Sequence, residues 1–145
     1  MFVHKKRYRI LKFDIKLTKR ILNAIQEHES HYLLVSDILD IVKSDYEEIE
    51  KEDFKDLFYG HLFLLKDNDV IQEVLGENLG ISYTINRKIT KAACFIRLTS
   101  KGYDYIKILN KDGIVEKFKK YTLTESLKVG EYILLKGVEQ FLNMC

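Results

Sequence analysis

Histidines, cysteines and paired carboxylates are the first places to look for chemistry in this 145-residue chain. A metal centre needs several donors at short, repeated spacings, and His4, His28, His31 and His61 are scattered, with no thiol near the His28/His31 pair. Cys94 lies in an apolar run and Cys145 at the far end, so neither a CxxC pair nor a disulfide framework is offered. His61 falls inside the most regular amphipathic stretch, where a histidine hydrogen-bonded at the edge of the core is expected rather than a catalytic base. Gly76 and Gly80 lack the following Lys-Ser or Lys-Thr of a phosphate loop. No nucleophile stands beside a base. The sequence therefore predicts a non-enzymatic protein with no metal and no cofactor.

Binding chemistry is better supplied. The formal net charge of +2 conceals a division along the chain. Lys5, Lys6, Arg7, Arg9, Lys12, Lys16, Lys19 and Arg20 face only Asp14 in the first twenty residues. In "KKRYR" the cations flank Tyr8, a pattern suited to phosphate contacts with stacking, or to an arm in a minor groove. Arg87, Lys88 and Lys91 add a second basic group. These residues point to a double-stranded nucleic acid held by its backbone. Asp45, Glu47, Glu48, Glu50, Glu52, Asp53 and Asp56 point the other way. An acidic surface there would suit a basic groove on a host protein, as in a phage inhibitor with an anti-defence or anti-CRISPR role. A solubilising tail and a solvated helix face would explain the same charges without any partner.

The elements that must position these groups are read from periodicity, because the chain has no proline. With 46% hydrophobic and 32% charged residues it is expected to fold around a real core. Its apolar runs are too short to span a membrane, and a cytosolic location is expected. Residues 1–13 read as a basic arm. Asp14 then caps a helix with Ile15, Ile21, Leu22 and Ile25 on one face. "YLLV" is a short β-prone run, and Ser36 or Asp37 is expected to cap a second helix through Val42. Phe54, Leu57, Phe58, Leu62 and Leu65 predict a third helix from about Asp53 to Lys66.

"VIQEVLG" and "KAACFIRLTS" read as two strands of a long hairpin, with "ISYTI" in the intervening loop as an extension or third strand. Thr99 or Ser100 is expected to cap a helix through Leu109, broken near Asn110–Gly113. Thr122 and Glu125 form a T-x-x-E capping box before a last helix bearing Leu127, Leu134, Leu135, Val138, Phe141 and Leu142. The order predicts an α+β, mainly helical fold. It comprises a winged helix-turn-helix core over 14–100 with a β-hairpin wing, and C-terminal helices over 101–145 in the same domain. The last helix is expected to support a homodimer. The third helix, the usual groove-reading element, pairs Lys55 and Lys66 with Asp53, Asp56 and Asp67, a poor surface to set against phosphates.

Three stretches resemble a known family. "FDIKLTKRILNAI" is similar to an opening helix of the form R-D-x-D-L-I-R-K-I-L. "YGHLFLLKDNDVI" is similar to "YHL-x-LL" leading into "GLI", with Gly60 added, and "RLTSKGYDYIKILNKDGIVEKFKK" to "LTxxGHxFLDxIR". Together, over Phe13 to Lys120, they resemble DUF2513, a family of uncharacterised winged-helix proteins of bacteria and phages. Tyr103 stands where that family favours histidine, and the chain has no tryptophan for the family's Trp-Lys helix. The resemblance implies a winged-helix fold and a phage or mobile-element setting, and it brings no catalytic residue.

Overall fold

The computed structural model describes residues 12–28, 33–83, 89–91 and 93–137, with side chains given for all of these except 82, 83 and 89–91. Helix α1, Ile15–Glu27, starts where the sequence says it must. The Asp14 carboxylate accepts from the Lys16 and Leu17 amides at 2.9 and 3.1 Å, satisfying two of the amides a helix start leaves without partners. The apolar face of α1, with Ile21 and Leu22 fully buried, forms one wall of the core.

Strand β1 is only Leu33–Leu34, and α2, Val35–Lys43, follows without a gap. The expected cap at Ser36 or Asp37 is not used. The Val35 amide donates to the Cys94 carbonyl at 2.9 Å, a strand-type bond that carries the chain directly from sheet into helix. Leu34 therefore occupies the cap position without a side-chain bond, and exposed Asp37 lies in the first turn, where its charge favours the helix dipole. The β-prone run is shortened accordingly, since Val35 is already helical.

Helix α3, Lys51–Asp67, begins slightly before the expected Asp53 and buries Phe54, Phe58, Leu62 and Leu65 completely. Its end is a Schellman turn. Val70 N–H donates to the Leu65 carbonyl and Asp69 N–H to the Lys66 carbonyl, with Asp69 at φ 61° in the left-handed region that glycine usually fills. Buried Val70 and Leu65 supply the apolar contact that accompanies this motif.

Strands β2, Ile71–Leu75, and β5, Phe95–Leu98, pair antiparallel, and β1 adds to the other edge of β5, giving the order β1-β5-β2. Ile96 stands opposite both Leu33 and Glu73. Between β2 and β5 lies a separate antiparallel ladder of β3, Ile81–Tyr83, and β4, Ile89–Lys91. The long hairpin is thus two ladders rather than one, and "ISYTI" contributes a strand. The interruption is a 3₁₀ turn, Asn78–Gly80, with Asn78 and Leu79 at positive φ. Leu79 is buried there, and its amide donates to the Glu73 carboxylate at 2.7 Å.

Helices α4 (Ser100–Leu109), α5 (Ile114–Phe118) and α6 (Leu123–Lys136) complete the chain. Thr99 caps α4 by accepting from the Gly102 amide at 3.0 Å. Gly113, at φ 81°, provides the break before α5. The Thr122–Glu125 capping box is formed in both directions, at 2.9 and 3.2 Å. Helix α4 packs against α1, β5 and α6, so the C-terminal helices share the core of the first three. Reciprocal amide bonds between Asn23 and Asn110, both 3.0 Å, tie α1 to the end of α4. Leu127 and Ile133 are buried, but Leu134 and Leu135 stay exposed, and Val138, Phe141 and Leu142 lie outside the described residues. The architecture is mainly helical α+β with one small three-stranded antiparallel sheet.

Candidate functional site

Lys5, Lys6, Arg7, Tyr8, Arg9, Arg87 and Lys88 lie outside the described residues, and Lys91 is described only as the backbone partner of Ile81 in β4. The acidic group is described throughout. Asp45, Glu47, Glu48, Glu50, Glu52, Asp53 and Asp56 are exposed. They crowd the link between α2 and α3 and the first turns of α3, and α2 adds Asp37 and Asp40 on its exposed face. Asp45 is ion-paired with Arg20, and Glu52 lies 3.4 Å from Lys55. Tyr46 anchors this link by packing its ring on Phe54. Burial, with Asp14, Asp45 and Glu48 adding to it, pushes the Tyr46 hydroxyl above its ordinary pKa.

At the start of α1 the fold builds a buried cluster around His61. The histidine is 0% exposed, as its place on the inner face of α3 dictates. The Asp14 amide donates to His61 Nε2 at 2.9 Å, and His61 Nδ1 lies 2.8 Å from the Leu57 carbonyl. A carbonyl only accepts and a backbone amide only donates, so the proton sits on Nδ1 and the ring is neutral. Burial lowers the His61 pKa, while the Leu57 carbonyl and the Asp14 carboxylate oppose that shift. Phe13 stacks on the imidazole at 5.7 Å. The core-edge histidine expected from the sequence is in fact wholly buried, and it holds the backbone amide of Asp14.

Beside this cluster is a depression of about 500 Å³. Lys12 reaches it from just before α1, Lys16 from the first turn of α1 and Lys119 from the link after α5, while Asp14 also lines it and Phe13, Ile15 and Leu57 supply apolar surface. Lys119 is paired with exposed Glu116 at 2.9 Å. The hydrogen bond and charge of Lys119 hold the Glu116 carboxyl below its ordinary pKa, and the charge of Lys16 lowers it further. The basic run in the sequence includes Lys12 and Lys16, but nothing local joins them to Lys119. Only the packing of α5 on α1 does so.

Other reactive groups are structural. Glu73 bonds Lys66 at 2.7 Å and the Leu79 amide. Burial pushes its carboxyl up, but those partners outweigh burial and hold it below the ordinary value. Burial and the charge of Glu73 push the Cys94 thiol up to about 11, which leaves it unreactive near neutral pH. Between α4 and α6 an apolar groove of about 320 Å³ runs past Tyr105, Ile108, Leu127 and Leu134. Tyr105 donates from its buried hydroxyl to Ser126 Oγ at 2.6 Å, and Ser126 in turn donates to the Leu123 carbonyl at 2.8 Å. Among the described residues no group of three or more His, Cys, Asp or Glu could hold a metal ion, and no helix is long and apolar enough to cross a membrane.

No protein-family model, curated protein or solved structure matches the chain. The likeness to DUF2513 therefore stands on the three quoted stretches alone.

Proposed function

We propose that the protein is a non-enzymatic winged-helix regulator of phage or mobile-element origin that binds double-stranded nucleic acid through its phosphate backbone. The order helix, strand, helix, helix and then β2 to β5, with β1 flanking β5 and β5 pairing β2 in the sheet, supports the winged-helix reading. Fold alone does not define function. The observation that carries the reading is the root of the arm. The cations Lys5, Lys6, Arg7 and Arg9 run into Asp14, whose backbone is bonded to buried His61 beside Lys12 and Lys16. A polycation attached at a fixed point on a basic surface suits a polyanion. Glu52, Asp53 and Asp56 at the start of α3 would oppose entry of that helix into a groove, so backbone contact is favoured over base reading.

The test is binding of a 20-base-pair duplex across a salt series, for the full chain and for a variant with Lys5, Lys6, Arg7 and Arg9 changed to Gln. Each lost phosphate contact should flatten the slope of log K against log salt by about 0.9. Absence of binding by the unmodified protein at low salt would remove the proposal.

The exposed acidic stretch favours a second reading, a protein-binding inhibitor of a host system. Reversing Glu47, Glu48, Glu50 and Glu52 to Lys should then abolish capture of a host protein, and unchanged capture would sink it. Leu135, 82% exposed on α6 next to exposed Leu134, supports the expected homodimer. Leu135→Glu should shift sedimentation to the monomer, and identical sedimentation of the two proteins would exclude that face.

A further inference from the structure

We propose that the depression bounded by Lys12, Lys16 and Lys119 seats phosphodiester groups of the bound nucleic-acid backbone, as an anchor separate from Lys5, Lys6, Arg7 and Arg9. This rests on the nucleic-acid reading above and gives it a defined contact point. Lys12 precedes α1 and Lys16 lies in its first turn, and both line the depression. Lys16 stands at the end of α1 where the dipole disfavours a cation, with the Asp14 carboxylate at the N-cap as its acidic neighbour.

The fold then adds Lys119, which is more than a hundred residues away in sequence, to the same depression. Asp14 also lines the depression, and its carboxylate keeps its negative charge while accepting from the Lys16 and Leu17 amides, so the three ammonium groups must outweigh it to hold an anion. Glu116 is an exposed partner of Lys119, and an exposed pair of this kind is weak and replaceable. A phosphate oxygen can take its place and release a counterion as well.

The surface between the lysines narrows the ligand. Phe13, Ile15 and Leu57 offer carbon to whatever lies between the cations. A free inorganic anion would leave that surface wet, whereas a phosphodiester carries a sugar on each side that can cover it. Lys12 also follows Arg9 after only two residues, Ile10 and Leu11, so one strand can engage both. The apolar part of the seat offers no hydrogen-bonding group to a base edge. Its contribution should be independent of sequence.

The experiment compares the full chain, Lys16→Gln with Lys119→Gln, and a charge-matched control, Lys128→Gln with Lys136→Gln, on the same duplex. All four lysines are exposed, and a thermal melt of each variant checks that folding is unchanged. The paired change in the depression should flatten the salt slope by about 1.8, two contacts' worth, and weaken binding at least about tenfold at 0.1 M salt. The loss should be the same on duplexes of unrelated sequence, and the control should lose far less. If the depression variant matches the control while the arm variant loses binding, the seat is overturned and the nucleic-acid reading stands. If the unmodified protein fails to bind duplex at low salt, both fall together.

Discussion

Between Thr99 and Gly102 the chain meets the end of α3 so closely that a methyl group on Gly102 would lie 2.2 Å from the Val70 carbonyl oxygen. That oxygen also accepts from the Thr99 amide at 3.1 Å. Between Asp45 and Asp56, by contrast, the acidic side chains stand in solvent, tied where they are tied by exposed ion pairs. Both stretches are dense in chemistry-bearing residue types. Neighbouring backbone dictates those of the first, and the fold scarcely constrains those of the second. A charged surface the fold does not require is therefore the better place to look for a partner, while a crowded junction is the better place to look for stability.

Gly102→Ala should have the largest effect. In an open helix this change stabilises by about 1 kcal/mol, but here the clash with Val70 should reverse the sign and cost about 3 kcal/mol, read as a lower urea midpoint. A midpoint at or above that of the unmodified protein would break the contrast. Next comes Ser126→Ala, which strands the buried Tyr105 hydroxyl and should cost about 1–3 kcal/mol. Tyr105→Phe should cost less, because Ser126 keeps its bond to the Leu123 carbonyl.

His61 gives a pH-dependent effect. Its folded pKa lies below the ordinary 6.5, so the unfolded chain takes up a proton that the folded one resists. The contribution is complete above about pH 6.5 and is lost as pH falls from there towards the folded value. Unfolding followed between pH 7 and 5 should show falling stability, and His61→Leu should flatten that part of the profile while lowering stability at pH 7. The smallest effect sharpens the other side of the contrast. Reversing Glu47 and Glu48 to Lys should change the unfolding free energy read from urea titration by no more than about 0.5 kcal/mol.

Local signals made much of the fold legible. Asp14, Thr99 and the Thr122–Glu125 pair are caps whose chemistry is complete within a few residues, and the α3 stripe is long enough to fix its own face. What the sequence concealed depends on distant partners. Ser36 and Asp37 are good caps, yet the bond from Val35 to Cys94 overrides them across roughly sixty residues. The left-handed Asp69 and Leu79 sit where glycine would be the usual signal. The acidic half of the charge pattern could be located from the sequence, but the basic depression could not, because Lys119 joins Lys12 and Lys16 only through packing.

The bond from Asp14 to His61 has a consequence of length. Lys5 is nine residues before the pinned amide, and a fully extended chain covers at most about 3.6 Å per residue. Its α-carbon is therefore confined within about 32 Å of that amide, close to one turn of a duplex at about 34 Å. On the proposed reading, the phosphates that Lys5 to Arg9 reach would lie within little more than one turn of the depression.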